Sequence, residues 1–229
     1  MYFVIPTIGS RGDVQPYIAL ASALEDAGHQ AVVATHPCMR PVVERYGVRF
    51  APIGPDIDIG REAAMMREGA AHWMIGLMRV MRFSFEMLET CHEDLLKLCR
   101  PADVVIISHT AAGSIEADQL QLPQLSVTLM PQAIPVQDPT EPLLKRAVGA
   151  VAGRGMSFMM SRPLDRIRRR LGVPPMGPEG ITSRTLNLLP ISPRVVARDP
   201  RWGPRHHLTG YWFLDEPVRW DPPADLQAF

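Results

Sequence analysis

The chain has 229 residues, 46% hydrophobic and 21% charged, an ordinary globular composition that excludes disordered, collagen-like and disulfide-scaffold classes. The 24 basic and 24 acidic residues cancel, so no global nucleic-acid footprint is expected, yet residues 1–150 hold 12 basic and 17 acidic groups and residues 151–229 hold 12 and 7, an asymmetry that suggests surfaces facing different partners. Three cysteines, Cys38, Cys91 and Cys99, sit at no metal-binding spacing and imply a reducing, cytoplasmic setting, and no stretch reaches the ~18 uncharged apolar residues of a membrane span.

The apolar run Tyr2–Thr7 reads as a buried strand ending at a glycine loop. Asp13 is placed to N-cap a following helix that has Pro16 in its first turn, an apolar stripe of Ile18, Leu20, Ala21 and Leu24, and Gly28 as its stop. A second strand is expected over Gln30–Thr35, a short helix near Pro41–Tyr46 and a third strand over Val48–Ile53. The spacing predicts two helices within Arg61–Leu98, then a strand at Asp103–Ser108, a helix at Ala111–Leu120 and a strand at Gln124–Leu129. Strands alternating with helices imply an α/β, Rossmann-like, doubly wound parallel sheet. After residue 130 the prolines at 131, 135, 139 and 142 break the alternation. A helix near Leu143–Leu171, a strand at Thr185–Leu189 and an aperiodic, proline-rich tail over Gly210–Phe229 complete the reading. The division expected is one domain over 1–209 and a linker over 210–229.

In open α/β sheets, ligands bind beyond the carboxyl ends of the strands. The first such place is Gly9-Ser10-Arg11-Gly12-Asp13. Its glycines allow a tight turn and close ligand approach, and the helix start behind it offers free N–H groups. It meets neither the dinucleotide fingerprint nor the P-loop pattern, which leaves a nicotinamide oxidoreductase without support. Asp13 is either a cap or a catalytic carboxylate on spacing alone. Ser10 either shapes the turn or binds a ligand; Arg11 is either solvated or a ligand contact. His109 and His36 each follow a strand, as pocket residues or as satisfied structural histidines. Asp56-x-Asp58 is a surface loop, and no metal site is expected. The 61–98 region is rich in Met and aromatics, with Trp73, Met74 and Met78 on it. Such a face is either core or an adaptable apolar pocket. Arg166, Arg168, Arg169 and Arg170 form a basic run, either a solvated face or a contact for a membrane surface or second domain.

The run Gly9-Ser10-Arg11-Gly12-Asp13-Val14-Gln15-Pro16-Tyr17-Ile18-Ala19-Leu20-Ala21, followed by Ala27-Gly28-His29 and Ala34-Thr35-His36, resembles the N-terminal domain of GT-B fold glycosyltransferases. The resemblance is to the family 28 type, that of sterol glucosyltransferase-like, glycopeptide and macrolide enzymes. Val48-Arg49-Phe50-Ala51-Pro52-Ile53-Gly54, Leu171-Gly172-Val173-Pro174-Pro175 and Thr209-Gly210-Tyr211-Trp212-Phe213-Leu214-Asp215 extend it along the whole chain. The resemblance implies the acceptor-binding half of an inverting enzyme that moves a hexose from a nucleoside-diphosphate sugar, of UDP type, to a hydroxyl of a lipophilic acceptor. No cofactor is implied. The donor sugar would sit mainly on a C-terminal domain, supplied in cis or trans, whose signature is absent here. Asp118-Gln119 looks like that donor signature but falls in the wrong domain. The resemblance makes Asp13 the general base, with Gly9, Ser10, Arg11, Gly12, His109, Trp73, Met74 and Met78 as acceptor- or sugar-binding positions. The chain alone is then expected to be inactive. The rival expectation is a non-catalytic module, left by truncation, that holds a hydrophobic ligand or pairs with a donor domain.

Overall fold

In chain order the elements are β1 (Tyr2–Pro6), α1 (Arg11–Asp26), β2 (Gln30–Thr35), a 3-10 turn (Pro37–Met39) running into α2 (Arg40–Glu44), β3 (Arg49–Pro52), α3 (Ile59–Glu68), α4 (Trp73–Thr90), α5 (His92–Cys99), β4 (Val104–Ile107), α6 (Ser114–Gln119), β5 (Gln124–Val127), β6 (Asn187–Leu189) and β7 (His206–Leu208). A further helical segment covers 162–170. This computed structural model describes residues 1–68, 73–130, 162–176 and 180–215, together with Ile134, Pro223 and Leu226. The first part of the helix expected over 143–171 and most of the tail lie outside the described residues.

The strands form one seven-stranded sheet in the order β3-β2-β1-β4-β5-β6-β7, with every neighbouring pair parallel. Successive side chains on a strand point to opposite faces, and the apolar runs use both. Phe3, Ile5, Ala31, Val33, Val104 and Ile106 pack with Val14, Tyr17 and Ile18 of α1. Val4, Val32 and Val105 pack the other way, with Cys99 of α5 and Ala117 of α6. A strand buried on both faces needs a continuous apolar sequence, which is why these strands stand out in the chain. At the N-cap of α6, Gly113 has φ +89°, and a Cβ there would lie 2.5 Å from Pro6 Cγ and 2.9 Å from Val105 Cγ1. Only glycine lets α6 start this close to β1 and β4.

Another core lies past the strand ends. Ile8, Ile53, Ile59, Leu88, Leu95 and Ile115 form it with Leu164 and Ile167, and Phe83, Phe85 and Met87 pack on its edge. Part of the Met- and aromatic-rich region therefore serves as core.

Three expectations need correction. Asp13 is not the N-cap of α1: Ser10 is, and Asp13 is the third helical residue. The 61–98 region forms three helices, because the chain turns at Cys91 between α4 and α5. The basic run is not one solvated face. Arg168 is 3% exposed, bonds Asp118 and donates to the Pro174 carbonyl at 2.7 Å. Arg170 pairs with Glu89 at 2.6 Å, while Arg166 and Arg169 stay exposed.

Candidate active site at the sheet switch point

From β1 the chain winds outward through β2 to β3; from β4 it winds the opposite way. β1 and β4 are neighbours, so the loops after them diverge and leave a crevice, the place where doubly wound sheets hold ligands. A cleft of about 710 Å³ opens there. Ile8, Ile59, Ala63, Val80 and Leu88 give it apolar walls, and Ser10, Asp13, Ser84, His109, Thr110 and Arg67 add polar groups. A mostly apolar cavity with a few convergent polar groups is the usual form of a small-molecule site.

Asp13 reaches the cleft because the loop before it folds back. Gly9 has φ +155°, and a Cβ there would lie 2.5 Å from Asp13 Oδ2, so a side chain at position 9 would displace the carboxylate. Asp13 Oδ2 accepts hydrogen bonds from the Ser10 backbone N–H and the Ser10 hydroxyl, both at 2.8 Å, the side-chain arm of a capping box. Thr7 Oγ1 donates to the Asp13 carbonyl at 3.2 Å.

The other carboxylate oxygen meets the loop after β4. His109 Nε2 lies 3.2 Å from Asp13 Oδ1. The turn carrying His109 closes with an Ala111 N–H to Ser108 carbonyl bond of 2.9 Å and places Ala111 at φ +67°, a left-handed conformation that costs a non-glycine residue about 1–2 kcal/mol. The backbone strain sits beside the presented histidine. His109 is also held from below. Its backbone N–H donates to the Tyr17 hydroxyl at 3.0 Å, and its Nδ1 lies 3.1 Å from the same oxygen.

The His109 hydrogen bond is the largest influence on Asp13 and lowers its carboxyl pKa below the ordinary 3.8; half-burial opposes this, and the Ser10 bonds add to it. Asp13 is therefore an ionised acceptor at neutral pH. Of roughly four lone-pair positions on a carboxylate, three are used, which leaves one for a ligand hydroxyl.

The structure brings Gly9, Ser10, Asp13 and His109 together around the cleft. Arg11 and Gly12 are exposed in the first turn of α1 and are not among the lining residues. Met78 is 65% exposed and does not line the cleft; it sits on another face of α4. Trp73 and Met74 lie on α4, but their side chains are outside the described residues. His36 is fully buried with Nδ1 on the Pro55 carbonyl at 3.1 Å, and burial lowers its pKa; it is packing. Asp58 Oδ1 accepts from the Arg61 N–H at 3.0 Å at the start of α3. Among the described residues no group of three or more His, Cys, Asp or Glu could hold a metal, and no helix is long and apolar enough to cross a membrane.

Sequence reasoning missed Tyr17, Thr110, Arg67 and the row Gly76, Val80, Ser84 and Leu88 on α4. The row carried a signal: four residues at spacing four lie along one helix face.

The family model for the glycosyltransferase family 28 N-terminal domain matches residues 3–133. The chain is 33% identical over 241 residues to a sterol 3-beta-glucosyltransferase of Leptosphaeria maculans, covering 97% of this chain and 16% of that protein. It is 28% identical over 248 residues to the O-mycaminosyltylonolide 6-deoxyallosyltransferase of Streptomyces fradiae, covering 100% and 58%. The chain thus spans under a fifth of the fungal relative and a little over half of the bacterial one. Among solved structures, the calicheamicin glycosyltransferase CalG4 superposes with TM-score 0.66 at 15% identity over 98% of this chain and 56% of that one. SsfS6 of Streptomyces sp. SF2575 gives 0.59 at 20% identity over 85% and 51%. The shared fold is that of the GT-B glycosyltransferases.

Proposed function

The chain belongs to the glycosyltransferase family 28 N-terminal domain family, and from that premise we propose that it is the acceptor-binding half of an inverting glycosyltransferase that sugar-modifies a lipophilic hydroxyl compound, sterol- or polyketide-like. The observation that carries the reading is one ionised carboxylate, Asp13, in an apolar-walled cleft at the sheet switch point, with one acceptor position left open.

The acceptor's apolar body lies against Ile8, Ile59, Val80 and Leu88 and its hydroxyl against Asp13. The donor is a nucleoside-diphosphate hexose, of UDP type, held by a second domain in cis or trans. The acceptor oxygen attacks the anomeric carbon from the side opposite the diphosphate. The new C–O bond forms, the bond to the diphosphate oxygen breaks, and the configuration inverts. The hydroxyl proton passes to Asp13 and the nucleoside diphosphate leaves with the bonding pair. An alcohol is a weak nucleophile, so a positioned base contributes about 10²–10⁴-fold. The low pKa of Asp13 limits its strength as a base in the empty cleft; an apolar acceptor covering it would strip water from the carboxylate and raise its proton affinity.

The test is turnover by the complete two-domain protein. Asp13→Asn keeps the shape and an acceptor for the Ser10 N–H but loses the proton acceptor, and kcat should fall by about 10²–10⁴-fold. Near wild-type turnover would make Asp13 a capping residue only.

A further inference from the structure

Asp13 is held by His109, and what holds His109 is Tyr17. Tyr17 is wholly buried in the core beneath α1. Among the described residues its phenol oxygen has two partners, both on His109: the backbone N–H at 3.0 Å and ring Nδ1 at 3.1 Å. The two rings lie within 9° of parallel, with centroids 6.1 Å apart.

A backbone N–H can only donate, so the phenol oxygen accepts from it. The phenol's own proton then needs an acceptor, and among the described residues the only one in reach is Nδ1. Leaving a buried hydroxyl unpaired is costly, so the proton goes there. Nδ1 is thereby the acceptor nitrogen, and the imidazole proton sits on Nε2. Nε2 is the atom 3.2 Å from Asp13 Oδ1. The opposite tautomer would aim a lone pair at a carboxylate and leave the phenol proton with no partner. Burial, with Asp13 nearby, raises the Tyr17 pKa, so the phenol stays a donor throughout the working range.

We infer that Tyr17 is a positioning residue for this site: its buried hydroxyl fixes His109 in the Nε2–H tautomer and so sets the donor that orients Asp13. Tyr17 is not among the residues lining the cleft. It acts across 92 residues of sequence, joining the first helix to the loop after β4, and so couples the two sides of the switch point. The consequence for the reaction rests on Asp13 being the base, as proposed above; the tautomer assignment does not.

The test is nitrogen-15 NMR of the His109 ring in this chain, with and without Tyr17→Phe. The wild type should show a protonated, pyrrole-type Nε2 and a pyridine-type Nδ1. Its Tyr17 hydroxyl proton should exchange slowly enough to give a resolved signal coupled through space to His109 Hε1. In Tyr17→Phe the ring should become a mixture of both tautomers, with intermediate shifts at both nitrogens. A wild type with Nδ1 protonated, or a Tyr17→Phe ring identical to wild type, overturns the inference. If the Phe variant does not fold, the wild-type spectrum and hydroxyl signal decide alone. Turnover of Asp13→Asn tests the base separately: full activity there with the expected ring pattern would retire the base and leave the positioning intact.

Discussion

Two acid–histidine pairs occur among the described residues, and their surroundings give them different work. Asp13 and His109 meet at 3.2 Å on the wall of a cleft, with side chains 36% and 22% exposed. His92 Nδ1 and Glu116 Oε1 meet at 2.6 Å between α5 and α6, with side chains 9% and 3% exposed. In the cleft, further hydrogen bonds pin the carboxylate, which keeps an open acceptor position. In the interior the Glu116 hydrogen bond raises the His92 pKa against the opposing effect of burial. Nearby Cys91 and Cys99 are pushed up to about 12, chiefly by burial, so they stay inert thiols. The same residue types form a candidate reaction centre where space adjoins them and a scaffold staple where none does.

The sharpest way to break this contrast is to remove one acid from each pair. Glu116→Ala leaves a buried histidine without its partner and should cost about 3 kcal/mol or more, read by chemical denaturation, while turnover per folded molecule in the two-domain protein stays near wild type. A large loss of turnover there would show that the interior pair reaches the chemistry. Asp13→Ala removes a carboxylate from the first turn of α1 and should cost only about 1 kcal/mol, the order of a charge's interaction with a helix N-terminus, yet abolish most turnover.

The pairs should also respond to opposite ends of the pH scale. Asp13 has a folded pKa below its ordinary 3.8, so its contribution to stability is present above that value and is lost as pH falls through the folded one. His92 has a folded pKa above its ordinary 6.5, so its contribution is full below 6.5 and is lost as pH rises through the folded one. Denaturation across pH should therefore show the wild-type advantage over Asp13→Asn shrinking in acid, and the advantage over His92→Gln shrinking in alkali. Parallel curves for the two variants would dissolve the distinction.

The smallest effect concerns the strained turn. Ala111→Gly removes the left-handed penalty at φ +67° but adds unfolded-state freedom, so stability should change by less than about 1 kcal/mol while the turn loosens. Turnover should fall even so, because His109 is presented less rigidly; unchanged turnover would show that the strain does not serve the site.

Much of this was legible in the sequence where burial is two-sided. Continuous apolar runs mark β1, β2 and β4, and their alternation with helices marks the fold. β7 was harder: His206-His207-Leu208 has no apolar run, and only pairing with β6 and the contact with Asn187 make it a strand. His109 could be placed near the site by its position after β4. Tyr17 could not, because its role depends on a hydroxyl meeting a residue 92 positions away. Asp13 looked like a cap and proves to be the third helical residue, since Ser10 holds the cap position. The Met and aromatic content drew attention to Met78, which is exposed, while the smaller residues Gly76, Val80 and Ser84 line the cleft. Apolarity signals burial somewhere; it does not say which helix face turns toward the space.

If the cleft between the β1 and β4 loops takes the acceptor rather than the donor, filling it must abolish acceptor binding. Titration calorimetry of this chain, against a hydroxylated sterol, a macrolide aglycone and UDP-glucose, and repeated with Ala63→Trp to fill the cleft, tests it most directly. Expected are measurable binding of at least one apolar hydroxyl compound, lost in Ala63→Trp, and weak or no binding of the nucleotide sugar. Tight UDP-glucose binding with no response to either apolar compound, or apolar binding untouched by Ala63→Trp, would contradict it.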